Sequence, residues 1–430
     1  MPPRELTLTI EKAAAGGRMI ARHDGQVVLV AGAIPGERVR ADVERVRSGV
    51  MYARVSEVLE ASPDRRPQIC DPACGGSVYA HVSYERQCRL KSDIVQDAFT
   101  RIARQQLQQP VPVTPSPEHG YRMRARLHVR GSRIGFFREA SHDLCDPAPT
   151  RQLLPQTASI LADLAAHWRR TRPVCREVDL SENIDASQRA LLIDVAEDCT
   201  AAEASALIEG IHEAKVTGAV VARGGAQLLA SEGSPYVVDS LAVDHNGPQL
   251  TLRRHVAGFF QGNRFVLPAL IDAVLAQLPP GRLIDLYAGV GLFGLAWAAL
   301  KRGTVTAVEG DRQSSQDLAA NAEPFGDAVI AAPTSVERYV GGSFQARDAT
   351  ILLDPPRTGM SKEAATAIVQ ARAPRVVYVS CDVATLARDA RRFLDEGYDI
   401  AHVEAFDLFP NTAHVETLVT FVWPSSSPKN

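Results

Sequence analysis

Between residues 253 and 423 the chain repeats one pattern: a short continuous apolar run, then an amphipathic stretch, then another apolar run. The runs at 283–287, 304–309, 349–354 and 376–380 read as strands, and 292–302, 313–322, 362–372 and 384–394 as helices. A strand without polar alternation has both faces buried, and strands separated by helices pair in parallel beneath them. This half is therefore expected to be α/β, a Rossmann-like parallel sheet covered on both sides, with its ligands at the carboxyl ends of the strands. A last apolar strand is expected at 418–423.

The rest of the chain follows other rules. Residues 5–60 alternate at period two between Gly16-Gly17, Asp24-Gly25 and Pro35-Gly36, which predicts four or five short strands in a small OB-like β-barrel. Tyr84, Cys88, Val95, Ala98 and Ile102 keep helical spacing, predicting a helix over 83–106, and Pro110, Pro112, Pro115 and Pro117 predict a stiff linker after it. Residues 120–248 read as an α+β central region with a strand at 124–130 and helices at 156–170 and 204–215. The expected division is 1–60, 61–250 and 251–430, with a polar tail from 424.

Composition narrows the function classes. Seven cysteines, an odd number scattered over 430 residues, do not form a secreted disulfide framework, so reduced thiols and a cytoplasmic location are expected. No apolar run is long enough to span a membrane and the first residues carry no apolar signal core. A net charge of −3 argues against nucleic acid as a partner until its distribution is examined. Residues 121–138 contain Arg122, Arg124, Arg126, Arg130, Arg133 and Arg138 and no acidic residue. On a strand Arg122, Arg124 and Arg126 share a face, a stripe suited to phosphates, with Tyr121, Phe136 and Phe137 beside it for stacking on bases.

The strand ends carry the chemistry. Asp285-Leu286-Tyr287-Ala288-Gly289-Val290-Gly291 closes one strand and opens a helix, and Glu309 ends the next strand, where a carboxylate can accept both hydroxyls of a ribose. The loop lacks the third glycine of a pyrophosphate fingerprint, which favours S-adenosyl-L-methionine over NAD. Asp354 stands at the end of another strand, before Pro355-Pro356-Arg357. Cys381 leaves a third strand just before a helix whose dipole is expected to lower its thiol pKa. Glu416 enters the last buried strand, a place where a carboxylate is either paired or works as a base. A cysteine, a carboxylate and a methyl donor are the minimum set for methylating C5 of uracil: a thiolate adds at C6 and a base later takes the C5 proton.

Phe260-Gln261-Gly262-Asn263, DLYAGVG, DPPR, Ser380-Cys381-Asp382 and the run from Asp407 to Thr417 resemble, in order and spacing, the bacterial RNA uracil-C5 methyltransferases of tRNA and 23S rRNA. The 1–60 barrel resembles the RNA-binding TRAM module found in many members. The resemblance implies a class I methyltransferase domain, with Cys381 as nucleophile and Glu416 as proton-abstracting base. It also implies S-adenosylmethionine contacts from Gln261, Tyr287, Glu309 and Asp354, with Gly289 and Gly291 in the loop. Ala288 and Leu292 depart from it, standing where a cysteine and, in several members, a cofactor-contacting asparagine occur, as does Asp382, which replaces a frequent asparagine. RNA is the implied partner, with 23S rRNA ahead of tRNA, no membrane, and a monomer.

The resemblance also implies a [4Fe–4S] segment at Cys70 and Cys74, but Ser77 and Thr150 occupy the positions of two further thiolates. The expectation is that the cluster is lost and Cys70 and Cys74 are relics, while Cys88 and Cys145 leave an irregular site open. The competing readings are an RNA cytosine-C5 methyltransferase, which places a cysteine in the DPPR loop where none stands here, a non-catalytic RNA-binding protein, and an iron–sulfur redox protein.

Overall fold

The computed structural model describes residues 5–424 except 132, 140, 170–173, 226, 245–246 and 343, so the polar tail beyond 424 and Arg170 at the end of an expected helix lie outside the described residues. Strands β1 (Glu5–Thr9), β2 (Lys12–Ala13), β3 (Met19–His23), β4 (Gln26–Ala31), β5 (Arg38–Arg47) and β6 (Val50–Glu60) form a six-stranded sheet in the order β1-β5-β6-β4-β3-β2. β1 and β2 are one run of chain broken after Thr9. Its first part pairs with β5 and its second with β3, which closes the sheet on itself as a barrel. The period-two residues Leu6, Leu8 and Ile10 point inward and are buried.

Helix α1 (Tyr84–Ala98) is shorter than expected: the chain widens into a π-turn at Phe99–Ala103 and stops at Arg104, whose φ is 54°. A two-residue strand, β7 (Val113–Thr114), follows in the proline-rich segment. The central region contains β8 (Arg124–Arg130), β9 (Arg133–Phe137), β10 (Leu144–Cys145), α2 (Pro155–Trp168), β11 (Cys175–Glu182), β12 (Arg189–Val195), α3 (Ala201–Ile208), β13 (Gly218–Arg223) and β14 (Gln227–Gly233). Its seven strands run β10-β9-β8-β11-β12-β13-β14, and Leu161, Leu164, Trp168 and Leu207 of the helices pack on one core with them. α3 opens with a Thr200–Glu203 capping box but ends well before residue 215, because Gly210, at φ 70°, turns the chain out of the helix. A hairpin of β15 (Tyr236–Ala242) and β16 (Gln249–His255) leads into the last region.

There, α4 (Leu267–Ala276), β17 (Gly281–Leu286), α5 (Leu292–Ala299), β18 (Gly303–Glu309), α6 (Arg312–Ala322), β19 (Val329–Pro333), α7 (Val336–Val340), β20 (Ala349–Leu353), α8 (Lys362–Gln370), β21 (Arg375–Ser380), α9 (Val383–Glu396), β22 (Asp399–Phe406) and β23 (Glu416–Val422) follow in turn. The eight-stranded sheet is ordered β19-β18-β17-β20-β21-β23-β22-β7. β17 to β21 are mutually parallel, as expected, but β23 runs antiparallel to β21 and β22, so the sheet is mixed rather than wholly parallel. The strand order reverses at β17, which puts a crevice at the carboxyl ends of β17 and β20. β7 pairs with β22, so the proline segment is docked as an edge strand rather than free as a linker. Barrel residues such as Leu8 and Val30, Leu90 and Ile94 of α1, and Ile351 and Tyr378 of the large sheet belong to one apolar cluster, which joins the barrel to the large-sheet half. Among the described residues no helix is long and apolar enough to cross a membrane.

Candidate active site

The loop after β17 turns sharply, with Tyr287, Gly289 and Gly291 at φ of 62°, 57° and 96°. A Cβ at Gly291 would meet the Leu295 and Leu318 side chains at 2.5 and 2.9 Å, so glycine is required there by the turn and by packing. α5 begins at Leu292 with no N-cap side-chain bond, and its third amide, Gly294 N, is taken from below by Asp285. Glu309, at the end of β18, accepts from Gly289 N at 2.8 Å and Asp311 N at 2.6 Å, and so holds the glycine loop over the crevice. Beneath the loop, Asp285 accepts from Gly294 N at 3.0 Å through one oxygen, while its other oxygen is buried with no partner. Burial, and secondarily Asp354, push its carboxyl up to about 8.

A cavity of about 790 Å³ opens over these strand ends, lined by Gln261, Tyr287, Gly289, Glu309, Asp354, Cys381 and Glu416 among others. Every residue expected at the cofactor or the reacting base lines it except Gly291, which serves the turn instead. The buried, unpartnered Tyr287 hydroxyl, the carboxylates and the glycine-lined floor fit a nucleoside with a cationic tail. Leu292 contributes an apolar patch to the wall.

Cys381 stands one residue beyond β21 and one before Asp382, the N-cap of α9. The expected lowering of its thiol pKa does not occur. Burial, then Glu416 and Asp354, push the thiol up to about 12, and one α9 amide, Thr385 N, is taken by Asp382 at 2.9 Å. Glu416, the first residue of β23, is buried, and burial with Asp354 nearby lifts its carboxyl well above the usual range. Asp354 accepts from Gln261 Nε2 at 3.3 Å, and burial raises it to about 7. The loop leading to Glu416 is anchored by α1. Buried Lys91 pairs with Asp407 and donates to the Phe409 carbonyl at 3.1 Å, and Gln87 exchanges hydrogen bonds with Asn411 at 3.0 and 2.8 Å.

A second cavity, about 730 Å³, lies against the central region and is lined by Arg122, Arg124, Arg126, Phe136 and Phe137. Phe259, Phe260, Gln261, Arg357, Cys381 and Glu416 line both cavities, so two molecules bound side by side would meet at Cys381 and Glu416. The expected arginine stripe is not uniform. Arg122 and Arg124 are half-buried at the cavity wall, whereas exposed Arg126 forms a two-pronged pair with Asp179 at 2.9 and 3.1 Å. Tyr121 is buried and hydrogen-bonded to Gln152, so it is no stacking surface; Phe137 already stacks on His128 at 3.4 Å. Phe259, 61% exposed between the cavities, is not singled out by the sequence, and Asp285 stands there only as the first residue of the glycine motif, without a role of its own. Asp285 could have been found, since it opens the glycine motif, whereas a lone surface aromatic carries no signal.

The residues of the expected cluster segment do not fit an iron–sulfur group. Cys74 is joined by a disulfide to Cys145, against the expectation of relic cysteines and reduced thiols. Ser77 Oγ donates to the carbonyls of Asp71 and Cys74, and Thr150 Oγ1 to that of Pro147. Cys70 and Cys88 remain as separate thiols, and among the described residues no three His, Cys, Asp or Glu side chains converge as metal ligands.

Residues 322–422 match the family described as tRNA (uracil-5-)-methyltransferase, and residues 1–56 match the TRAM domain. The chain is 34% identical to the 23S rRNA (uracil(1939)-C(5))-methyltransferase of Pseudomonas putida over 96% of this chain and 93% of that one. It is 31% identical to the protein of the same description from Methylococcus capsulatus, over 98% of each. Among solved structures, the tRNA (uracil-54, C5)-methyltransferase of Pyrococcus abyssi, in complex with S-adenosyl-L-homocysteine, superposes with a TM-score of 0.74 at 22% identity, covering 97% of this chain and all of that one, which shows a shared fold.

Proposed function

This chain belongs to the RNA uracil-C5 methyltransferases, an S-adenosylmethionine-dependent family, and from that premise we propose that it forms 5-methyluridine in 23S rRNA with Cys381 as nucleophile and Glu416 as base. The choice of 23S rRNA over tRNA rests on the full-length relatives, which carry the 23S rRNA description at 34% and 31% identity. The observation that carries the mechanism is the shared wall: Cys381 and Glu416 line both the 790 Å³ and the 730 Å³ cavities. S-adenosylmethionine supplies an electrophilic methyl group, and Gln261, Tyr287, Gly289, Glu309 and Asp354 are the residues that would hold it.

Uracil C5 is too weak a nucleophile to be methylated unaided. Addition of Cys381 Sγ to C6 forms a C–S bond and moves the ring π electrons onto O4 as an enolate, which makes C5 nucleophilic. Once C5 carries the methyl group, Glu416 takes the C5 proton, the C5–C6 double bond returns and the C6–S bond breaks. Burial pushes the Cys381 thiol up to about 12 and the Glu416 carboxyl above its ordinary range, so the resting site favours the neutral form of each. The uridine must leave its stack to reach Cys381 from the second cavity. A ribosomal RNA substrate supports a cytoplasmic location.

RNA carrying tritium at C5 of uridine tests the reading. With S-adenosylmethionine the wild-type protein is expected to release tritium, Cys381→Ala to release none, and Glu416→Gln to accumulate a covalent protein–RNA adduct stable to denaturation. Full activity in Cys381→Ala would overturn the mechanism.

A further inference from the structure

We propose that Arg124, with Arg122 beside it, is the receptor for the phosphodiester adjoining the uridine that enters the second cavity, an assignment that rests on the RNA-methyltransferase reading above. The argument begins from charge balance. The buried arginines Arg18, Arg189, Arg254 and Arg264 each meet a carboxylate: Glu139 at 2.9 Å, Glu182 at 2.6 Å, Asp239 at 2.7 Å and Glu182 at 2.5 Å. Arg122 and Arg124 have none within ion-pair distance among the described residues, although both are strongly desolvated. Arg122 spends its donors on the Arg124 carbonyl at 2.9 Å and Gln152 Oε1 at 2.7 Å, both neutral. Arg124 makes one long contact, 3.4 Å to the Phe260 carbonyl, and its Nε is buried with no partner at all. A desolvated guanidinium without a counter-ion is costly, and a protein keeps one where a ligand supplies the missing charge.

Geometry says which ligand. Both arginines line the cavity that also contains Cys381 and Glu416, so the anion belongs to the nucleotide under reaction or to its immediate neighbour. At neutral pH the anions of RNA are its phosphates, and a guanidinium fork matches the phosphate oxygens in pairs. Arg122 lies near the rings of Phe136 and Phe409, at 5.1 and 5.6 Å, and is held by two hydrogen bonds, while Arg124 lies 5.7 Å from the ring of Phe259.

The test uses the full-length protein and a synthetic 23S rRNA hairpin that the wild type methylates. Arg124→Ala is expected to raise the KM for the hairpin by about ten- to a hundredfold, the range of a lost charge-assisted contact, with kcat kept within about threefold. Replacing the phosphates flanking the target uridine with methylphosphonate, one at a time, should cost the wild type a similar factor at one linkage, and Arg124→Ala should lose nothing further there. A fall in kcat at unchanged KM would overturn the proposal and assign Arg124 to the enolate oxygen instead. Methylphosphonate effects that are absent, or equal in wild type and variant, would also overturn it. Should Arg124→Ala not fold, the wild-type methylphosphonate series and Arg124→Lys, which keeps the charge without the fork, still decide. Failure of the wild type to methylate any RNA would instead sink the underlying functional reading.

Discussion

Asp285 shows how far a single residue in this site stands from its solution chemistry. It belongs to the glycine motif, lies 1% exposed with one oxygen unpartnered, and is lifted from 3.8 to about 8 by burial and secondarily by Asp354. The carboxyl is thus neutral in the folded chain over a range where it is charged in the unfolded one. Its favourable contribution is complete below about pH 4 and is lost progressively as pH rises through about 8. Asp285→Asn keeps an acceptor for Gly294 N and removes the titration. Thermal melting of the two proteins is expected to coincide near pH 4 and to separate progressively up to about pH 8, with the asparagine variant higher; parallel melting curves across that range would contradict the assignment. Residue identity at such positions was legible because strand ends and motif order are properties of the sequence. The protonation state was not: the thiol of Cys381 was expected low from its place before α9, and it stands high because it is buried and because Glu416 and Asp354 arrive from distant strands.

At the scale of elements, the strands that read directly are those buried on both faces, such as β20, all of whose residues are inside. β19 and β22 were missed because they lie toward the margins of the sheet, mix exposed and buried positions, and so lack a continuous apolar run. The antiparallel turn of β23 was equally invisible, since direction is set by which neighbour a strand finds and not by its composition. The Cys74–Cys145 bond is a pairing across 71 residues that spacing alone left open. It ties the loop carrying Gly75 and Gly76, which line the second cavity, to β10 of the central sheet. Alkylation of the denatured, unreduced protein should therefore label five cysteines of the seven, Cys70, Cys88, Cys175, Cys199 and Cys381, and all seven after reduction. A bond closing a loop of this length contributes on the order of 2–4 kcal/mol, so the double Cys74→Ser, Cys145→Ser variant should unfold at lower denaturant concentration. Seven labelled thiols before reduction would show the pair to be open.

For the whole molecule the near-neutral charge was misleading as an average and informative once placed. Many arginines outside the second cavity are matched locally by carboxylates, as in the barrel, where Arg54 meets Glu44 at 2.9 Å and Arg40 pairs with Glu57. The barrel was legible as a separate unit from its period-two alternation, and that reading suggests a detachable RNA-binding appendage. Its packing argues otherwise. Leu8, Val30, Leu90, Ile94, Ile351 and Tyr378 share one apolar cluster, so the barrel covers surface on α1, and through α1 on the large sheet, that would otherwise face water. Polar contacts reinforce it: Arg18 with Glu139 at 2.9 Å, Lys12 with Asp97 at 2.6 Å, and His81 Nε2 with the Ala33 carbonyl at 3.1 Å. α1 in turn supplies Lys91 and Gln87, which hold the loop that presents Glu416. Deletion of residues 1–60 is therefore expected to act on stability and catalysis as well as on RNA affinity. The truncated chain should melt at lower temperature, bind an apolar dye that the intact protein excludes, and show a lower kcat even at saturating RNA. If the barrel were only an appendage, the truncated chain would keep its melting temperature and its kcat and would differ in KM alone; that outcome would refute the shared core as a functional coupling.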